Sequence, residues 1–344
     1  MRDTTRTLII LHLAVFLAGW TGIFGRLVSL GGLPLVWYRI MVSVVTLALV
    51  LALTGRLHRV GRKALLQIGG CGILLALHWT CFFASIQASN VSIGVACIAT
   101  TCFFTAVFNP LIDRLTSLQH RVAELKVSHF RSIFLRRKCH TEAQQRDIGS
   151  QQREHLSCER TPLPERSGAI DWREIIISFI SIAGVLLVFS LDVRYRVGIA
   201  WGLLSAAIYS VFAILNVNVA RRTGEPTDTM LLYELVGGVL FLTLCIPLYV
   251  KILPDAGIVP SARDLLWLLL LGSVFTVIPF LFQLQALRKL SAFTVNLTYN
   301  LEPVYSIAIA AVLFGEQREV GWSFWVGLAL IVISVLLQTR RLSR

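Results

Sequence analysis

Ala292-Phe-Thr-Val-Asn296-Leu-Thr-Tyr299-Asn300-Leu-Glu302-Pro303-Val-Tyr-Ser-Ile-Ala-Ile-Ala-Ala-Val-Leu-Phe314 is an apolar run with a single charge, Glu302, near its middle. A helix needs about 20 such residues to cross the hydrocarbon core of a bilayer. Nine more runs of this kind recur along the chain, so the reading is ten spans: 8–24, 35–53, 64–85, 92–112, 175–191, 198–219, 230–250, 265–287, 292–314 and 322–337. Composition agrees. The chain is 56% hydrophobic and only 15% charged, with a mean hydropathy of +0.72, whereas about a quarter of a soluble domain is charged. The expectation is an all-α polytopic membrane protein.

Arg2 and Arg6 precede the first run, but no small-residue cleavage site closes it, so it reads as a span and not as a removable signal. The seven cysteines (71, 81, 97, 102, 139, 158 and 245) fall mostly inside apolar runs without CxxC spacing, which supports neither a disulfide framework nor a metal site. The net charge of +13 could suggest a nucleic-acid partner. Its distribution argues for topology instead. With ten spans, 25 of the 32 Lys and Arg fall on the side of both termini, six on the other, and Arg39 lies within the second span. The positive-inside rule then places both termini in the cytoplasm.

Two pairs of segments repeat. Pro34-Leu-Val-Trp-Tyr38-Arg39 opens the second span, and Thr229-Met-Leu-Leu-Tyr233-Glu234 opens the seventh, 195 residues on. Ser89-Asn-Val-Ser92-Ile-Gly opens the fourth, and Leu290-Ser-Ala-Phe-Thr-Val295 opens the ninth, near the same offset. Because five spans is an odd number, a repeat of five enters the membrane with opposite orientation. Such inverted halves hold a solute between them near the midplane.

The stretch from Leu290 to Pro303, followed by Leu313-Phe-Gly315-Glu316 and by Gly327 in the last span, resembles the C-terminal EamA repeat of the drug/metabolite transporter superfamily. Gly19-Trp20, Pro34 and Arg39 resemble its N-terminal repeat. The resemblance covers about residues 8–114 and 170–338. It implies ten helices in two inverted five-helix EamA repeats, alternating access between the halves, and export of small metabolites such as amino acids or amines without a cofactor. It also implies a bacterial cytoplasmic (inner) membrane. The division is an N-terminal repeat over 1–114 (spans 1–4) completed by span 5 at 170–192, a polar insert at 115–169, and a C-terminal repeat over 193–344.

The insert departs from that pattern. Leu118, Val122, Leu125, His129, Ile133 and Phe134 keep helical spacing ahead of Arg136-Arg137-Lys138. Two readings stay open: a basic amphipathic helix on anionic lipid, or a dispensable cytoplasmic loop. Cys139-His140 and His155-x-x-Cys158 are poorly spaced for a metal.

Ionisable residues inside spans are costly and default to function. Three qualify. Glu302 lies about 15 Å into its span by helical rise, beside Asn296, Tyr299 and Asn300, and can bind an amine, a coupling proton or both. Arg39 and Glu234 each lie about one turn into theirs, close enough to an interface to snorkel. Packing against a partner in the other half is the alternative role for all three. His78, Trp79 and Gln87 on the third span, Asn216 and Asn218 on the sixth, and Gln283 and Gln285 on the eighth are weaker cavity candidates, with interhelical hydrogen bonding the competing reading. Trp37, Tyr38, Trp322 and Trp325 read as interfacial anchors. Gly69-Gly70-x-Gly72 and Gly198-x-x-x-Gly202 read as helix-packing faces. The chain thus reads as a secondary transporter of a small solute in a lipid bilayer. Import or exchange of a larger metabolite is the rival. A membrane scaffold or intramembrane enzyme comes behind, since no paired aspartates, His–Ser pair or Walker motif appears.

Overall fold

A computed structural model of the chain describes residues 2–101, 103–105, 107–112, 114, 180, 183, 195–254, 257–287, 289, 298, 299, 301–318, 321, 322, 325–330, 332, 333 and 337. The insert, Asn296 and Asn300 lie outside them, as do nearly all of the fifth span and much of the tenth. The chain divides into two units. One comprises Met1–Ala106 with Trp172–Arg344, and the other is Val107–Asp171, of which the described residues are helical.

Among the described residues the first unit is helical throughout, without strands. Its helices are α1 (Arg2–Gly19), α2 (Thr21–Leu27), α3 (Gly32–Leu53), α4 (Arg62–Ala88), α5 (Val91–Ile98), α6 (Arg196–Thr223), α7 (Thr227–Ile252), α8 (Ala262–Gly272), α9 (Ile278–Leu287) and α10 (Glu302–Phe314). Six stretches are long and apolar enough to cross a membrane: Thr5–Leu27, Gly32–Leu53, Arg62–Ala88, Arg196–Thr223, Thr227–Ile252 and Ala262–Gln283. Val91–Thr105 and Glu302–Phe314 are shorter apolar helices. These eight correspond to expected spans one to four and six to nine.

The surface is the inverse of a soluble protein's. Val45, Leu49 and Leu53 on α3 are 65%, 57% and 78% exposed, and Leu240, Leu244 and Leu248 on α7 are 61%, 80% and 60% exposed. Four-residue spacing puts each trio on one helical stripe. In water such stripes are a liability, and against lipid tails they are the correct surface. Meanwhile Ser43, Ser85, Ser205 and Ser210 are fully buried. An apolar exterior, with polar side chains buried within the helical core, is the arrangement of a bilayer protein.

Small residues set the helix crossings, as expected for packing without a hydrophobic drive. A Cβ on Gly72 of α4 would collide with the backbone carbonyl of Glu234 on α7, and one on Gly202 of α6 would come within 2.6 Å of Cys97 Cβ on α5. The two glycine patterns singled out in the sequence are therefore contact faces. Helix α3 runs antiparallel to α7. Gly31 meets Tyr249, Trp37 Nε1 donates to Thr243 Oγ1 at 2.8 Å, and Arg56 pairs with Asp228 at the far end. Between them lie Leu35, Ile40, Leu47, Leu235 and Leu242, all buried.

Three irregularities interrupt the helices. The first span breaks at Gly19-Trp20, where Trp20 N bonds Leu17 O at 3.2 Å. The eighth carries a wide π-turn at Ser273–Val277 between α8 and α9. The ninth turns at Leu301 so that α10 starts at Glu302, with Pro303 in its first turn. Proline fits there because the first helical N–H groups need no intrahelical partner.

Candidate functional site

The site is built where those irregularities meet. Helix α3 begins at Gly32, and α7 at Thr227, each three residues earlier than the hydropathy suggests. Arg39 and Glu234 consequently sit two turns in, about 10 Å from their helix starts. Snorkelling is not what Arg39 does. It is 3% exposed and points into the bundle. Its guanidinium lies over the Trp79 ring, with Cζ 4.1 Å from the centroid, and 5.7 Å from that of Phe83. Arg39 Nε donates to Thr276 Oγ1 at 3.1 Å, and Nη1 has no partner among the described residues.

The π-turn makes that position possible. Thr276 Oγ donates to Leu271 O at 2.6 Å, and Ser43 Oγ, one turn after Arg39, donates to Gly272 O at 2.9 Å. These side chains satisfy carbonyls that the widened turn releases, and widened turns are frequent at functional sites. Gly272 has no side chain to hold α3 away. A Cβ there would lie 2.8 Å from Arg39 O.

Glu302 faces Arg39 within electrostatic reach, but no ion pair closes between them. It opens α10, where the positive end of the helix dipole suits a carboxylate. Ser306 Oγ, one turn on, donates to Gly19 O, which fixes α10 against the break in the first span. A Cβ on Gly19 would lie 3.4 Å from Glu302 O. Trp20, next in the chain, packs its ring 5.9 Å from Phe275 of the π-turn.

Below this pair stands Tyr209 of α6, which interacts electrostatically with both Glu302 and Glu234. The His78 ring lies 4.7 Å from the Tyr209 ring, and its Nδ1 sits 3.0 Å from Ser205 O and 2.9 Å from Ser205 Oγ. His78 is thus a buried interhelical link. Glu234 is 3% exposed, hydrogen-bonded by the Asn216 side chain, and its Oε1 has no partner among the described residues.

The structure brings together Arg39, Glu302, Trp79, Tyr299, His78, Glu234 and Asn216 of the expected residues. Tyr299 joins through its electrostatic coupling to Glu302 and donates to Pro279 O at 3.4 Å. Gln283 is partly buried on α9 and takes no part in these contacts among the described residues. Gln87 Nε2 serves structure, donating to Leu30 O at 2.7 Å. Tyr209 and Thr276 were missed. An aromatic residue or threonine inside an apolar helix gives no sequence signal of its own.

Two polar clasps close the ends of the bundle. At one end Glu316, fully buried, accepts from Val91 N (3.0 Å), Ser92 N (2.8 Å), Ser92 Oγ (2.7 Å) and Arg26 Nη1 (2.8 Å). Beside it, Ser29 N and Oγ donate to Asp264, which also forms a capping box with Ser261. At the other end Arg56 pairs with buried Asp228, and His58 Nε2 lies 3.1 Å from Glu225 Oε2. The hydrogen bond to Glu225 and a second to the Arg56 carbonyl push His58 above the ordinary imidazole range. None of these clasps was expected.

One solved crystal structure aligns over 96% of this chain and 97% of its own, with 13% identity and a TM-score of 0.55, which is a likeness of fold. No curated protein matches the chain. Residues 196–340, running from α6 through α10 and beyond, match the model of the EamA-like transporter family.

Proposed function

We propose that the chain is a secondary transporter that exports a small zwitterionic metabolite, an amino acid or a close amine relative, by alternating access between two inverted five-helix halves. One observation carries the reading. Arg39 Nη1 is buried without a hydrogen-bond partner among the described residues, while Glu302 stands within electrostatic reach but unpaired. A guanidinium held flat on Trp79, with a free N–H edge, suits a carboxylate. A carboxylate opposite it suits an ammonium group. A solute with both charges would satisfy the two together, and an empty site would leave each under-satisfied.

The end bearing Arg56 and His58 is assigned to the cytoplasm by the positive-inside bias. With both clasps formed, the arrangement corresponds to a closed state in the cycle, and opening one face requires breaking one clasp.

The test is flux in proteoliposomes across a panel of amino acids and amines, with and without a pH gradient. The expected result is saturable movement of a zwitterion that neither a plain amine nor a plain carboxylate matches, and its loss in Arg39→Ala. Equal transport by Arg39→Ala would refute the assignment.

A further inference from the structure

We propose that Glu234 is the binding site of the coupling proton, separate from the Arg39–Glu302 pair that receives the solute. The inference rests on the transport reading above. Glu302 has a counter-charge in Arg39. Glu234 has none. Three elements pack against α7, namely α3, α4 and α9, and α6 reaches Glu234 through side chains. Helix α4 presents Cys71 and the bare backbone at Gly72. Helix α6 presents the Asn216 amide and the Tyr209 phenol. Helix α3, in the antiparallel register fixed by Trp37–Thr243 and Arg56–Asp228, presents Ser43 to Leu53, a stretch without any ionisable residue. Helix α9 carries only glutamines as polar groups. On α7 itself the neighbouring Tyr233 turns its hydroxyl to His58 O at 3.2 Å, and Asp228 is taken by Arg56.

Among the described residues a carboxylate so enclosed has one hydrogen bond and no cation. An uncompensated charge inside a membrane protein costs several kcal/mol. Leaving one hydrogen-bonding position of a neutral acid unfilled costs about 1–3 kcal/mol. The second is smaller, so in this closed state the group is a carboxylic acid. The Gly72 and Glu234 backbones are in contact at this crossing, and the Asn216 amide is the only hydrogen-bonding partner the described residues offer the carboxylate, too few ligands for a metal cation. A proton fits.

The clasp of Arg56–Asp228 and His58–Glu225 stands two turns away, toward the start of α7. When that clasp parts, water reaches Glu234, the acid dissociates, and one proton leaves on that side. When the opposite clasp parts and the solute leaves, the carboxylate takes one proton from that face and is buried again. Arg39 and Glu302 recognise the solute by charge. Tyr209, in electrostatic contact with both glutamates, is the group through which occupancy of one site is felt at the other.

The experiment is difference infrared spectroscopy on the purified full-length chain in lipid nanodiscs, scored on the protonated-carboxyl C=O band near neutral pH. The wild type is expected to show the band, Glu302→Gln to keep it, and Glu234→Gln to lose it. Glu234→Asp should keep a band shifted in frequency, which reports the site if the glutamine variant does not insert. A band that survives in Glu234→Gln, or that vanishes in Glu302→Gln, overturns the proposal. This readout needs no solute, so it stands even if the flux panel finds no zwitterion. In vesicles that do transport, Glu234→Gln is expected to lose pH-driven accumulation completely and to retain solute exchange. Full pH-driven accumulation in that variant also overturns the proposal.

Discussion

Replacing Glu316 tests whether the fold is held at one end by a single carboxylate. The chain reaches Glu316 by reversing at Gly315, whose φ of +69° lies in the left-handed region that glycine occupies without strain. The side chain then receives two backbone N–H groups and one hydroxyl from the first turn of α5, and the Arg26 guanidinium. Hydrogen bonds to a charged group contribute about 1.5–3 kcal/mol each. They share one acceptor, so they do not add, and deleting a buried charged partner costs about 3–5 kcal/mol in all. Glu316→Ala should cost about that much. Glu316→Gln keeps the shape but turns an NH2 toward donors, so roughly half the loss is expected, about 2 kcal/mol. The Arg26 side chain is 38% exposed, and Arg26→Ala should cost no more than ~1 kcal/mol. The assay is reversible unfolding in mixed micelles, followed by tryptophan fluorescence against the denaturing-detergent fraction. If Glu316→Ala lies within ~0.5 kcal/mol of wild type, or Arg26→Ala costs as much as Glu316→Ala, the argument from the α5 amide groups is wrong.

Three further outcomes are expected. Arg39→Lys keeps the charge but gives up the flat stack on Trp79 and the Thr276 bond, so the half-saturation concentration in flux should rise about tenfold, which is ~1.4 kcal/mol; an unchanged value would mean that only charge matters there. His58 is raised chiefly by its hydrogen bond to Glu225, so its clasp is fully formed below about pH 6.5 and weakens as pH climbs through the raised value. A cysteine placed at Arg59 should therefore label faster as pH rises, and His58→Ala should flatten that profile. Gly72→Ala must push α4 from α7 at the Glu234 carbonyl, at a cost of about 1–3 kcal/mol in the same unfolding assay, and Gly72→Leu should fail to yield folded protein.

The parts legible in the sequence are those where hydrophobicity alone decides. Eight of the ten expected spans meet apolar helices among the described residues, readable because a bilayer demands about 20 consecutive apolar residues, and Arg39, Glu234 and Glu302 stood out because charges inside such runs are expensive. The glycine faces were readable for a similar reason: small residues are how helices approach without a hydrophobic drive. The clasps were not readable. Glu316 and Ser92 are 224 residues apart, and Asp264 and Ser29 are 235 apart, so no local spacing connects them. A charged residue at a span end looks like any loop residue. The π-turn at Ser273–Val277 contains neither proline nor glycine, and Pro279, just after it, is a weak sign. The start of α10 at Glu302 was half visible. Pro303 marked a released carbonyl, but the turn at Leu301 depends on α10 docking against Gly19, far away in the chain.

The antiparallel pairing of α3 and α7 gives the repeat in the sequence a physical consequence. Tyr38-Arg39 and Tyr233-Glu234 stand seven residues into their helices, counted to the charged residue, and the helices point in opposite directions. The same local motif therefore delivers a cation to one half of the bundle's depth and an acid to the other. The surroundings then differentiate them. Arg39 meets Trp79, Phe83 and Thr276, which accept a permanent charge, while Glu234 meets Asn216 and glycine backbone, which do not balance one. Exchanging the two charges tests which is decisive. If depth alone mattered, Arg39→Glu combined with Glu234→Arg would still fold and transport with its coupling reversed. The packing argues otherwise. A guanidinium at position 234 would need room where the Gly72 backbone already touches α7, and a carboxylate at 39 would face the electron-rich indole ring and Glu302 across from it. The double variant is expected to be lost from the membrane fraction, whereas Glu234→Gln alone accumulates at the wild-type level. Normal membrane levels of the exchanged protein would show that the partners around each charge matter less than its depth.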